Sequence, residues 1–277
     1  MYKLIASDLD ETLLGPDHHI SAENLAAIHK CQELGIKFVP ATGRGFGSIQ
    51  ATLAELGIQG AAGQYTISYN GGAFYENQGP RLIKFTGMAY DLIEQLYERG
   101  QKYDVCMHIY SEDKVFAYNL NEEERNFCKG RLDFIELADQ TLDRLRASGE
   151  NFVKILYENR DFAYLKQIRS EMSDLESQAE ISYSSSRYLE FNPVGVNKGS
   201  GLKALCAEIG IDLKETMALG DSFNDDAMIK VAGLGVGMAN TTPEMQADCD
   251  VITERDYQHG GVAEAINRFV LPQYAGQ

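Results

Sequence analysis

The chain has 277 residues, more than one small domain needs, and 44% hydrophobic against 24% charged residues supply a sizeable core, so one large or two moderate domains are expected and disorder is not. A formal net charge of −16 argues against a nucleic-acid or anionic-membrane partner, since either needs a basic face. Five cysteines without C-x-x-C spacing, no signal-like leader and no long apolar run predict reduced thiols in a soluble, cytoplasmic protein.

The predicted elements begin with an apolar strand over 4–7 that runs into an acidic loop carrying Asp8 and Asp10. Ser21 is placed to cap a helix through 34, with Leu25, Ile28, Cys31 and Leu34 on one stripe and Gly35 as its stop. A second strand over 36–39 ends in Ala41-Thr42-Gly43-Arg44, a helix follows through 56, and a third strand over 65–68 leads to Asn70-Gly71-Gly72. This alternation builds a parallel sheet. The middle is less regular: strands over 105–110, 115–118, 153–157, 181–184 and 188–191 mix with helices over 89–99 and 162–175, as in an α+β insertion. From Asn197 the alternation returns, with a helix over 199–209, a strand over 216–219 opening into Gly220-Asp221-Ser222-Phe223-Asn224-Asp225, and a Gly-spaced strand from 234. The predicted fold class is therefore α/β: a Rossmann-like parallel-sheet core from residues 1–84 and 190–277, with an inserted α+β cap over 85–189.

Chemistry-bearing residues fall at the ends of the core strands, where open α/β sheets bind ligands. Two carboxylates two residues apart, Asp8 and Asp10, follow the first strand. Thr42 and Gly43 follow the second, Lys198 opens a helix, and Asp221, Asn224 and Asp225 follow a late strand. His18, His19, His29 and His259 show no ligand spacing. Gly235 and Gly237 lie late in a strand, where close packing explains them better than a nucleotide-binding turn.

Asp8-Leu9-Asp10-Glu11-Thr12-Leu13-Leu14, Ala41-Thr42-Gly43-Arg44, Tyr69-Asn70-Gly71-Gly72, Val196-Asn197-Lys198-Gly199 and Gly220-Asp221-Ser222-Phe223-Asn224-Asp225 together resemble the haloacid dehalogenase-like phosphohydrolases, and within them the Cof-type subfamily with a type IIB cap. The resemblance spans essentially the whole chain. It implies a Mg²⁺-dependent phosphatase of small phosphorylated metabolites, sugar phosphates first, with flavin mononucleotide or pyridoxal phosphate as further substrates. Asp8 would be the nucleophile that forms an aspartyl-phosphate, and Asp10 the acid that protonates the leaving alcohol and then activates water. Mg²⁺ would be held by Asp8, the Asp10 carbonyl and Asp221, with Asp225 behind it orienting a bound water or Lys198. The Leu9 and Gly43 amides, Thr42, Asn224 and Lys198 would hold phosphoryl oxygens. In this family the cap selects the leaving group; Arg44 and Asn70 from the core and His108, Lys154 and Arg187 from the cap are the nominated substrate contacts. A monomer or homodimer is expected. The rival readings are a phosphomutase, which returns the phosphoryl group to its ligand, and a phosphometabolite-binding regulator with a vestigial site.

Overall fold

The computed structural model describes residues 1–130, 132–137 and 142–275. Two compact units emerge, one of Met1–Phe85 with Asn197–Gln277 and the other of Thr86–Val196. The second unit thus runs past residue 189, because the strand after Arg187 pairs with the cap sheet and not with the core.

The first unit opens with β1 (Leu4–Ser7), α1 (Ala22–Glu33), β2 (Lys37–Pro40), α2 (Gln50–Glu55), β3 (Tyr65–Ser68), β4 (Ala73–Glu76) and β5 (Arg81–Phe85). The second unit contains α3 (Tyr90–Gly100), β6 (Cys106–Ser111), β7 (Val115–Tyr118), α4 (Glu122–Cys128), β8 (Phe134–Glu136), α5 (Asp143–Ser148), β9 (Phe152–Glu158), α6 (Phe162–Glu171), β10 (Ala179–Ser184) and β11 (Tyr188–Pro193). The chain then returns to the first unit with α7 (Lys198–Ile209), β12 (Thr216–Gly220), α8 (Asp226–Val231), β13 (Leu234–Gly237), β14 (Val251–Ile252) and α9 (Gly261–Ala265).

Five parallel strands form the core sheet in the order β14-β13-β12-β1-β2. β1 lies inside the sheet between β12 and β2, and every residue from Leu4 to Ser7 is buried. Its register sets Ser7 opposite Pro40 and Leu219, which brings the ends of β1, β2 and β12 to one edge. β3 does not extend this ladder. Its register sets Ile67 opposite Ala41, just past the end of β2, so a single parallel bridge forms and β3 instead pairs antiparallel with β4.

Ser21 caps α1, its hydroxyl accepting from the Asn24 amide. The buried face of α1 is Asn24, Ala27, Ile28 and Cys31. Leu34, expected on that stripe, is 42% exposed, because the helix ends at Glu33 and the chain turns at Gly35 with φ +75°. Asn24 is buried because its Oδ1 accepts from the Ala263 amide at the start of α9 (2.9 Å).

In the second unit six strands run in the order β10-β11-β9-β6-β7-β8. Antiparallel pairing of β11 with β9 and of β9 with β6 makes the centre. No helix among the described residues is long and apolar enough to cross a membrane. All five cysteines are free thiols.

Candidate active site

The site forms at the carboxyl edge of β1, β2 and β12. Asp8 is the first residue beyond β1, and its amide donates to the Leu219 carbonyl (3.0 Å), holding the strand end against β12. The chain then folds over the Leu9 carbonyl, which accepts from the Leu13 and Leu14 amides at 3.0 and 2.8 Å. This tight loop, with Glu11 at φ +59°, keeps Asp8 and Asp10 close together.

Lys198 is the first residue of α7, whose N-cap is Asn197 with a reciprocal Ser200. Its Nζ donates to Asp8 Oδ1 (2.5 Å) and Asp225 Oδ1 (2.6 Å), and the side chain has no solvent exposure. The helix end is held by Gly71, at φ +94°: a Cβ there would lie 2.3 Å from the Asn197 carbonyl oxygen, so only glycine lets the turn approach. Asp225 in turn accepts from the Asp221 and Ser222 amides through Oδ2 (3.1 Å each), which fixes the loop after β12.

Asp8, Asp221 and Asp225 bring carboxylate oxygens within 4.8 Å of one another. Burial, opposed by Lys198 and reinforced by Asp225 and Asp10, pushes Asp8 up to about 7. Burial together with Asp225 and Asp8 also raises Asp221 well above the carboxylate range. Burial acts to lower the Lys198 ammonium, but Asp225 and Asp8 outweigh it and hold the charged form. Three carboxylates around one ammonium leave an excess of negative charge. Oδ1 of Asp8 and Oδ1 of Asp221 are occupied by Lys198 and by the Thr12 hydroxyl (2.7 Å). Their Oδ2 atoms accept no hydrogen bond among the described residues. Two buried aspartates of one cluster, each with an oxygen left open, fit a hard divalent cation such as Mg²⁺. Asp225, with both oxygens occupied, fits a supporting place instead.

Thr42 is buried, its amide donating to Ile67 O (2.9 Å) and its Oγ1 accepting from the Arg44 amide (3.1 Å). The hydroxyl thus shapes the turn that presents the Gly43 amide. Asn70 sits at φ +54° beside Tyr69 at φ +52°, and its Oδ1 accepts from Asn224 Nδ2 (3.3 Å). Arg44 lies with both arms of its guanidinium on Asp10.

His108, Lys154 and Arg187 lie in the second unit and are buried. Lys154 donates to Glu190 (2.5 Å), and Arg187 donates to Glu124 (2.5 Å) and Glu158 (2.8 Å). Each cation is therefore matched inside its own unit. These carboxylate partners were not legible in the sequence. Neither was the Thr12 contact, although Thr12 stands two residues after Asp10 in the same stretch.

A family profile described as haloacid dehalogenase-like hydrolase matches residues 5–266. The chain belongs to the haloacid dehalogenase-like hydrolases. Within that family it is 31% identical over 248 residues to the HMP-PP phosphatase of Serratia proteamaculans (strain 568), covering 89% of this chain and 87% of that protein. It is 29% identical over 273 residues to the 5-amino-6-(5-phospho-D-ribitylamino)uracil phosphatase YcsE of Bacillus subtilis (strain 168), covering 97% and 96%. Among solved structures, a haloacid dehalogenase-like hydrolase from Bacteroides thetaiotaomicron is 30% identical with a TM-score of 0.80, covering 97% of this chain and 99% of that one. This haloacid dehalogenase-like hydrolase is a phosphatase of small phosphorylated substrates.

Proposed function

We propose that this phosphatase hydrolyses phosphate monoesters of small metabolites in two steps through an aspartyl-phosphate on Asp8. One observation carries the reading: Asp8 sits in a buried ion-paired chain with Lys198 and Asp225, while Asp10 stands two residues on in the same loop. In the first step an Asp8 oxygen attacks phosphorus, the ester P–O bond breaks, and Asp10 gives its proton to the leaving alcohol oxygen. In the second, water attacks the phosphoryl group, its proton returns to Asp10, and the P–O bond to Asp8 breaks to release phosphate.

Lys198 offsets the charge of the buried carboxylates, which would otherwise repel a phosphate. The Leu9 and Gly43 amides, Thr42, Asn224 and Lys198 are the groups proposed to hold phosphoryl oxygens. Asp8, the Asp10 carbonyl and Asp221 would hold Mg²⁺, which when bound supplies charge neutralisation for the phosphoryl group. Sugar phosphates are the first substrate class proposed, with flavin mononucleotide and pyridoxal phosphate in the same panel. Two of the relatives above, named an HMP-PP phosphatase and a 5-amino-6-(5-phospho-D-ribitylamino)uracil phosphatase, support small and varied leaving groups. The inserted unit is proposed to select among them.

Phosphate release from para-nitrophenyl phosphate and from this panel tests the reading, with Mg²⁺, with EDTA, and with Asp8→Asn. Metal-dependent release that Asp8→Asn abolishes is the expected result. Isomerisation of a sugar phosphate without free phosphate would replace the phosphatase by a phosphomutase. No turnover of any ester by folded protein would leave a phosphometabolite-binding regulator.

A further inference from the structure

The guanidinium of Arg44 engages Asp10 with two parallel bonds, Nε to Oδ2 (2.8 Å) and Nη2 to Oδ1. A fork of this kind fixes the plane of a carboxylate as well as its distance, which a single ammonium does not. Both ends of the pair are anchored. Arg44 donates its amide to Thr42 Oγ1 (3.1 Å), and its carbonyl accepts from the Tyr69 amide (3.1 Å) in the left-handed turn. Behind it, Gly45 packs so closely on Tyr69 that a Cβ would lie 2.4 Å from the phenol oxygen. Asp10 belongs to the loop folded over the Leu9 carbonyl. The side chains are 18% and 30% exposed, so the pair is reachable from solvent and adds little to folding stability.

We propose that Arg44 is a positioning residue for Asp10, setting the orientation in which that carboxyl meets the leaving oxygen and the attacking water. This rests on the reading of Asp10 as the proton-transfer group. It reassigns Arg44, nominated from sequence as a substrate contact, to a role exerted through Asp10. Orientation matters most when the leaving group needs a proton. An alkoxide leaving from a sugar phosphate needs one, whereas para-nitrophenolate leaves without it.

The experiment compares Arg44→Ala and Arg44→Lys with the unaltered enzyme on glucose 6-phosphate and para-nitrophenyl phosphate, with single-turnover measurement of alcohol release. For Arg44→Ala, alcohol release from the sugar phosphate should fall by about tenfold or more, while the para-nitrophenol burst changes by less than about threefold. Free guanidinium in the buffer should restore part of the loss. Arg44→Lys should behave like Arg44→Ala, lacking the fork. Equal losses on both esters, or a rise in KM with kcat intact, would make Arg44 a substrate contact and overturn the proposal. A crystal structure of Arg44→Ala gives a readout free of turnover: an Asp10 carboxyl rotated from its present plane supports the inference, and an unmoved one overturns it. If the unaltered enzyme hydrolyses no ester, the phosphatase reading fails, and the Asp10 orientation alone then decides whether Arg44 positions it.

Discussion

Two clusters of buried charge, one in each unit, are composed of similar residues and satisfied differently. In the first, Asp8, Asp221 and Asp225 share the single ammonium of Lys198, and an oxygen of Asp8 and one of Asp221 accept nothing among the described residues. In the second, Glu124, Glu158 and Glu190 face Arg187 and Lys154, and each accepts at least two hydrogen bonds. Glu124 takes Arg187 and the Tyr188 hydroxyl (2.7 Å), Glu158 takes Arg187 and Asn121 (3.1 Å), and Glu190 takes Lys154 and the Ser184 hydroxyl. Buried ionic groups tolerate desolvation only when paired and hydrogen-bonded. The second cluster meets that condition from its own chain and reads as structure. The first does not meet it from its own residues, and three acidic side chains around one ammonium make a cluster that suits a cation.

Removing the groups of the first cluster should therefore abolish activity and leave the fold in place. Asp8→Asn should lower phosphate release by about 10⁴-fold or more, and EDTA should do so by about 10²-fold or more, with unfolding midpoints near those of the untreated protein. Loss of folding in Asp8→Asn would break the comparison, because Asp8 would then be structural.

In the second cluster the balance should reverse. Arg187→Met leaves Glu124 and Glu158 buried without their shared cation, and the expected loss is about 3–5 kcal/mol of stability, read by urea denaturation. A variant that kept its stability yet changed its ranking of phosphate esters would move Arg187 into the substrate site, as the sequence first suggested.

His108 sharpens the same contrast. It packs against Phe134 at 4.6 Å between ring centroids, and neither ring nitrogen has a hydrogen-bond partner. Its Nε2 lies 3.6 Å from Glu124, too far for a hydrogen bond. Burial, aided by Lys154 and Arg187, pushes its pKa down to about 3, against about 6.5 in an unfolded chain. Between those values the unfolded chain binds the proton and the folded protein does not. Stability from this group is therefore complete above pH 6.5 and is lost as pH falls toward 3. From pH 7.5 to 5 the loss should be about 2 kcal/mol greater in the unaltered protein than in His108→Leu, and parallel urea titrations of the two at both pH values check it. Equal pH dependence would remove His108 from the account.

The smallest effect lies outside both clusters. Ser21→Ala deletes the side-chain acceptor for the Asn24 amide and should lower stability by about 1 kcal/mol without changing kcat, as thermal unfolding and steady-state rates together would show.

What the sequence by itself determined was local or periodic. The apolar run before Asp8, the Ser21 cap, the returning strand–helix alternation after Asn197 and the order of the five motifs are all set within a few neighbouring residues, where propensity and hydrophobic period act. The tertiary structure decided pairings between distant segments. Lys198 meets Asp8 across 190 positions, Thr12 meets Asp221 across 209, and Asn24 is buried because α9 presents an amide to it. It also decided that β3 leaves the parallel sheet and that Arg44 turns to Asp10. A hydrogen bond or ion pair depends on fractions of an ångström between side chains brought together from separate strands. No local pattern carries that distance, so the kinds of residue at the site were legible while most of their partners were not.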